Sequence, residues 1–236
     1  MNLFANARAL AAVAGVAGIF CIGSANAAFI WSLGGTNQGA NGIVSSAPGA
    51  TTIDFNAPGV AIGGDPSTAF VTYVGGGVVQ NNAGLHAAPS GDTSNFFSVG
   101  PSTSDPATIT FGGLVRYFGF NLSSPDSYNT VTFYRGNTVE ATYSGTNLAT
   151  LLSFVADGLQ TASFFLNVNV DDPSQYFDRV EMGSSCNGAC ASTNAFETDN
   201  HAYIAAVPEP ATCAMTLAGL GLLGWSRRTK QKAARL

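Results

Sequence analysis

Lysine is missing from the long middle of this chain. Between residues 28 and 206 the only cationic side chains are Arg116, Arg135 and Arg179. Against them stand thirteen of the chain's 14 carboxylates, the fourteenth being Glu209; three positive charges against thirteen negative ones leave a net −10. A surface of that sign repels phosphate backbones and anionic headgroups, which excludes nucleic acid and anionic lipid as charge-driven partners. It suits attraction of divalent cations, or plain solubility outside the cell. Histidine is equally scarce. His86 and His201 are the only 2, and neither lies in a nucleophile elbow or an H-E-x-x-H pattern. Cysteine is limited to 4 residues, with Cys21 and Cys213 inside apolar end segments. That leaves Cys186 and Cys190 in a Cys-Asn-Gly-Ala-Cys loop, where Gly188 permits a tight turn. A local disulfide is the expectation in an oxidising compartment; zinc is the alternative, but no second ligand pair stands nearby to complete a tetrahedron.

What the chain does have is concentrated at its ends. Residues 1–27 read as a secretory signal peptide: Arg8, an apolar run from Ala9 to Gly23, then Ser24-Ala25-Asn26-Ala27. The small residues Ala25 and Ala27 place cleavage by signal peptidase before Ala28. Phe20 precedes Cys21 where a lipidation signal requires a small residue, so Cys21 is not expected to carry lipid. At the other end, Val207-Pro208-Glu209-Pro210 leads into apolar residues and then a basic stop, Arg227, Arg228, Lys230, Lys232 and Arg235. Proline fixes φ and removes an amide donor, so Pro-Glu-Pro is a stiff, extended segment that a processing enzyme can read. Ala211 to Ser226 is 16 residues, short against the roughly 17–25 of a usual membrane helix. Gly219, Gly221 and Gly224 weaken it further as a permanent anchor. With Arg8 and the basic tail both held on the cytoplasmic side, everything between them faces the periplasm.

The tail closely resembles the PEP-CTERM sorting signal of Gram-negative bacteria. The residues that carry the resemblance are Val-Pro-Glu-Pro-Ala-Thr at 207–212, Leu-Ala-Gly-Leu-Gly-Leu-Leu-Gly at 217–224, and Arg227-Arg228. The resemblance implies a partner, the integral-membrane cysteine protease exosortase. It also implies an inner-membrane-anchored stage facing the periplasm, followed by release to the cell surface or the extracellular medium. The span 207–236 is therefore read as the sorting signal and 28–206 as one mature domain.

Within that domain the pattern is strand and turn. Ala69 to Val74 is β-branched and aromatic and stops at Gly75-Gly76-Gly77. Ala107 to Phe111 alternates polar with apolar; Arg116 to Leu122 and Thr130 to Tyr134 follow. Arg135-Gly136-Asn137 leads into Val139 to Tyr143 and predicts a hairpin. Ser163 to Val170 places Phe164, Leu166, Val168 and Val170 on one face; Phe177 to Met182 and Ala195 to Ile204 complete the set. Only Asn147 to Asp157 has helical spacing, through Leu148, Leu151, Leu152 and Val155. Short strands, Gly-rich turns and no βαβ alternation predict an all-β fold, a two-sheet antiparallel sandwich of jelly-roll type.

Several stretches of the middle look familiar as a set. They are Gly91 to Gly100, Tyr117-Phe118-Gly119-Phe120, Ser124 to Tyr134 with its Pro-Asp-Ser-Tyr-Asn-Thr-Val core, Phe177-Asp178-Arg179-Val180, and Ala195 to Tyr203. Together they resemble a family of exosortase-dependent surface proteins of cyanobacteria and proteobacteria. The resemblance implies a cell-surface role and supplies no catalytic mechanism.

No arrangement of residues points to catalysis. Asp171-Asp172-Pro173-Ser174 reads as a turn capped by aspartate. Glu197 and Asp199 share one face of a strand, but no partner carboxylate is fixed for glycoside chemistry. The chain is expected not to be an enzyme. The one candidate cofactor is Ca2+, which takes six to eight oxygen ligands. The Phe-Glu-Thr-Asp-Asn strand is similar to the closing strand of carbohydrate-binding jelly rolls, in which an aspartate helps hold such an ion. That likeness points to Asp199, with Asp54 as partner if the first and last strands pair. Tyr117, Tyr128, Tyr134 and Tyr143, where they face solvent, are candidates to stack on sugar rings if the domain holds exopolysaccharide in a biofilm, although such tyrosines more often plug the edges and corners of a sandwich. The competing expectation is a matrix component with no specific ligand.

Overall fold

The computed structural model describes residues 29–57, 60, 62–80, 86–100, 103–185 and 194–206. Its strands, in chain order, are β1 Phe29–Leu33, β2 Thr36–Asn37, β3 Ile43–Val44, β4 Thr51–Ile53, β5 Val71–Val74, β6 Gly77–Gln80 and β7 Asn95–Val99. They continue with β8 Ala107–Ser123, β9 Asn129–Arg135, β10 Thr138–Ser144, β11 Ser163–Val170, β12 Phe177–Ser184 and β13 Phe196–Ala205. One helix, α1 Gly145–Leu152, follows β10.

The architecture turns on β8. Its first part buries Ala107, Ile109 and Phe111 and leaves Thr110 exposed, and it lies between β5 and β12. Its last part, Tyr117 to Ser123, lies instead between β11 and β13. The exchange of partners happens across Gly112-Gly113, where the ladder to β12 slips between Thr110 and Val115. A strand that changes layer needs such an irregularity, and glycine supplies it without a side chain to repack. The first layer therefore runs β10-β9-β12-β8-β5. The second runs β1-β11-β8-β13, with β7 and β4 sharing the far edge of β13 and β6 beyond β7. All pairings are antiparallel, and 11 strands form one continuous curled sheet with β2-β3 separate. The antiparallel all-β sandwich expected from the sequence is the observed class. Its two layers are one sheet because β8 is long enough to run through both.

Between the layers lies an aromatic core. Phe133 and Phe177 meet edge to face at 4.9 Å, Phe29 lies 5.0 Å from Phe133, and Phe55, Phe97, Phe118 and Phe120 ring His201. Such pairs add about 0.5–1.5 kcal/mol each beyond simple burial. The opposite face of the second layer is covered too: Tyr117 and Phe165 pack under Ile43, Ala47 and Ala50. A layer buried on both faces explains why β8 reads Val115 to Ser123 with little exposed surface.

Three local expectations need correction. The strands at 107–111 and 116–122 are one strand. The helix is Gly145–Leu152 and not 147–157. Ser144 opens it with a capping box to Asn147, and Ser153 closes it in the left-handed conformation at φ 60°. Beyond it Asp157 pairs with Asp126 as an isolated bridge, so the chain is already extended there. Leu151 and Val155, read as helix-face positions, are mostly exposed. The third concerns Tyr117, a candidate for sugar stacking: it takes the alternative role of a plug and is fully buried, its hydroxyl bonded to Asn167 Oδ1 at 2.6 Å and to Ser45 Oγ at 2.7 Å. The predicted hairpin is present, with Gly136 at φ 57° joining β9 to β10. Asp171-Asp172-Pro173-Ser174 is the expected capped turn, Asp172 Oδ1 accepting from Ser174 N at 2.8 Å.

Candidate functional site

The last strand carries the densest group of buried polar side chains. Between Asp199 and Ala202 the ladder of β13 to β8 gains a residue, and Asn200 takes φ 51°. Asparagine tolerates that left-handed conformation better than most residues. The bulge lies where β7 ends and β4 begins along the same edge of β13. It turns Asp199 and Asn200 toward the turn Gly39–Asn41 and toward the loop that ends in Asp92. Asn200 Nδ2 donates to Asn41 O at 2.7 Å and to Asp199 Oδ2 at 3.0 Å; Asn200 N donates to Asp199 Oδ1 at 2.7 Å. Thr93 N donates to Ala40 O at 2.9 Å, which ties the Asp92 loop to the same turn. Asp92 Oδ1 accepts from Ser94 N and Ser94 Oγ, while Asp92 Oδ2 is buried and meets no N–H donor among the described residues.

Asp92 and Asp199 are close enough to act directly on each other. Burial pushes the Asp199 carboxyl well above the usual carboxylate range, and its hydrogen bond and charge interaction with Asp92 push it further. Asn121 completes the floor. In the orientation that satisfies both ends of its amide, it donates to Ser163 Oγ at 2.9 Å and Phe164 O at 3.2 Å and accepts from Ile43 N at 3.2 Å. Gly42, at φ 70°, packs tightly against this group, closer than any side chain would allow. A Cβ there would stand 2.8 Å from Asp92 Oδ2, 2.8 Å from the Asn121 amide and 3.2 Å from the Asn200 amide.

The two residues proposed as cation ligands differ in burial. The expected pairing of an early strand with the last one exists, with Ile53 opposite His201. Asp54, however, is exposed and accepts from Asn56 N at 3.1 Å, whereas Asp199 is fully buried. Asp54 is the weakest of the influences on Asp199. Among the described residues no three His, Cys, Asp or Glu side chains gather as a metal-binding set. Ala25, Ala27, Ala28, Cys186, Cys190, Val207, Pro208, Glu209, Pro210, Arg227, Arg228 and Lys230 lie outside the described residues. Among the described residues no helix is long and apolar enough to cross a membrane.

Two further buried ionisable groups sit on β13. Glu197 Oε1 accepts from Ala87 N at 2.8 Å; burial, with a contribution from Asp126, raises its carboxyl to about 7. His201 bonds Tyr73 Oη at 3.0 Å through Nδ1 and Thr198 Oγ1 at 2.8 Å through Nε2. Burial lowers its pKa to about 3, so it is a neutral core residue. A group held in that way offers no exposed base for catalysis.

The solvent-facing side of the first layer is different in kind. One cross-strand row reads Thr142, Thr132, Glu181, Thr108 and Val74; the next reads Val139, Tyr134, Arg179, Thr110 and Thr72. The Arg179 guanidinium lies 3.9 Å from the centroid of the Tyr134 ring, and Tyr134 Oη donates to Glu181 Oε1 at 3.4 Å. Tyr134, Tyr128 and Tyr143 are half-buried; Tyr134 alone sits on this open face, while Tyr143 packs against Trp31 and the core. Sequence reasoning singled out Asp199 and Tyr134 but missed Asp92, Asn121 and Asn200. The one local signal was the Asp199-Asn200 pair, two residue types depleted in strands, inside the run Phe196–Ala205.

The fold and these sites define an antiparallel β-sandwich domain with a polar bulge in its last strand. Its C-terminal residues 206–231 match the family model described as the PEP-CTERM protein-sorting motif, so the chain carries a PEP-CTERM sorting motif at its C-terminal end. That motif indicates export, a C-terminal membrane anchor before processing, and exosortase-dependent sorting. No curated protein matches the chain. Among solved structures it is similar to two mutants of the carbohydrate-binding module CBM29-2 and to a further family 29 module. Each is 13% identical over 65% of this chain and 86–90% of theirs, at a TM-score of 0.34. At that distance the likeness carries neither a ligand nor a site across.

Proposed function

We propose that this protein is a non-catalytic component of the cell surface or extracellular matrix of a Gram-negative bacterium. Signal peptidase releases residues 1–27, and the tail holds the sandwich at the inner membrane with its strands in the periplasm. Exosortase then cuts near Pro208-Glu209-Pro210 and frees the domain into the exopolysaccharide of a biofilm. The observation that carries this reading is the sorting motif at residues 206–231. The acidic, lysine-free composition of 28–206 supports it, since such a surface stays soluble among secreted polymers. The test is the intact mass of the protein from culture supernatant and from membranes, with and without the host exosortase. A supernatant species beginning at Ala28 and ending near Pro210, lost without the protease, is the expected result. A membrane-bound species retaining Leu236 in both strains would instead make this an ordinary anchored domain.

A second reading, supported by the open face of the first layer, is that the domain binds the polysaccharide it resides in. Tyr134 offers a ring edge held by Arg179, and Glu181, Thr108, Thr110 and Thr132 offer donors and acceptors matched to sugar hydroxyls. Pull-down on the host's own exopolysaccharide is expected to retain the wild-type domain and to lose Tyr134→Ala by about 1–2 kcal/mol of affinity, a factor of roughly ten. Equal failure of both proteins to bind would leave the passive matrix role.

A further inference from the structure

The sorting motif begins where the fold ends, with no spacer between them. Its match starts at residue 206, and Ala206 is still tied to the sheet, its N–H donating to Leu114 O at 2.7 Å. Pro208 has no amide hydrogen, so a ladder cannot continue through the Pro-Glu-Pro segment. Ahead of Pro208 the chain therefore supplies only Val207 before it reaches residues held by β8.

The end of β13 is also built unlike the rest of that strand. At Tyr203 it is held on both edges, by Phe118 of β8 on one side and by Thr51 of β4 on the other. Beyond Tyr203 the ladder to β4 has ended, and the ladder to β8 slips between Ile204 and Ala205. Ile204 lies opposite Tyr117 and Ala205 opposite Val115, so the register passes over Arg116, which is exposed. Ile204 packs against the cluster of Tyr117, Phe165 and Ala202, whereas Ala205 and Ala206 belong to neither hydrophobic cluster. An enzyme that takes its substrate as an extended strand bonds to main-chain groups flanking the bond it cuts. Here the groups just ahead of the motif are already engaged.

We propose that Ala205 and Ala206 form a detachable strand end, which must peel from Val115 and Leu114 before exosortase can seat the motif. The packed side chain of Ile204 is where the peeling stops. Detachment is local: it opens the end of one ladder along one edge and uncovers no large apolar side chain, so the sandwich stays folded. The domain thereby sets the rate of its own release. This inference rests on the proposed cut near Pro208-Glu209-Pro210.

The test is pulse-chase labelling of the full chain in the producing bacterium, following conversion of the tailed form to the processed one. Wild type is compared with a variant carrying a flexible Gly-Ser spacer between Ala206 and Val207, and with a variant lacking Ala206. The spacer follows the last hydrogen bond of the sheet and leaves the fold intact. Removing Ala206 draws Val207 into the held position. Cleavage of a transiently opened state tracks its population. The spacer is therefore expected to speed conversion and the deletion to slow it, each about fivefold, the equilibrium value of one backbone hydrogen bond. Equal rates for wild type and the spacer variant would overturn the proposal. So would slowing by both changes, since an optimum at the natural length marks an enzyme that docks on the folded domain. All versions are followed again in a strain without exosortase, where no conversion is expected. Wild-type conversion that persists there would overturn the sorting reading, and this proposal with it, a result distinct from the other two.

Discussion

Glu197 and His201 stand four residues apart on β13 and respond to pH in opposite directions. The Glu197 carboxyl is raised from 4.5 to about 7 by burial, helped by Asp126, so its neutral form is the one the fold prefers. Its contribution to stability is fully present below about pH 4.5 and is lost as pH rises through about 7. The His201 ring is lowered from 6.5 to about 3 by burial, so its contribution is present above about pH 6.5 and is lost as pH falls toward 3. Between 4.5 and 6.5 the two slopes oppose each other. Glu197→Gln keeps the hydrogen-bonding outline without the charge and leaves the His201 slope alone. We expect the wild type to lose on the order of 1–3 kcal/mol more than Glu197→Gln between about pH 5 and about pH 7.5 in urea titrations. Equal losses in the two proteins would mean that Glu197 is hydrated in the folded state. The groups facing Glu197, Asp126 and Tyr128, are acidic or neutral across this range, so neither supplies a compensating positive charge.

At the scale of elements, β8 carries the greatest constraint. Its second half is packed on both faces, and Gly119 marks the tightest point. A Cβ there would stand 2.6 Å from Tyr117 Oη, 2.7 Å from Phe165 Cε1 and 3.0 Å from Leu166 O. The Tyr117 hydroxyl is pinned between Ser45 and Asn167, so it cannot retreat without breaking two hydrogen bonds. Gly119→Ala is therefore expected to destabilise the domain by about 1–3 kcal/mol, read from the urea midpoint. A shift below about 0.5 kcal/mol would show that the cover formed by Ile43, Ala47 and Ala50 yields easily. The strand's two halves were legible in the sequence as separate strands, because Gly112-Gly113 interrupts the alternation as a turn would. What joins them is partner exchange: β12 keeps contact across the slip, which no local pattern encodes. Helix α1 has the same lesson in reverse. Leu148, Leu151, Leu152 and Val155 keep helical spacing past Ser153, yet the chain leaves the helix there because Asp157 pairs with Asp126.

For the whole molecule, export and fold class are written in short-range features. The Pro-Glu-Pro segment, the apolar run and the basic stop act on enzymes and membrane through local stiffness, hydrophobicity and charge, so their order in the sequence is their function. Alternating apolar positions in 107–111 and 163–170 fix which side faces a core, because strand side chains have a period of two. Those properties the sequence determined by itself. The tertiary structure alone decided the rest. It buried Tyr117 under the 43–50 segment, left Tyr134 and Arg179 on an open face, and moved Asp54 out to solvent. It also brought Asp92 against Asp199 through a one-residue bulge. Meetings between residues so far apart depend on register and layer order across the whole sheet, and a single slip in the ladder of β13 would send Asp199 to the other face.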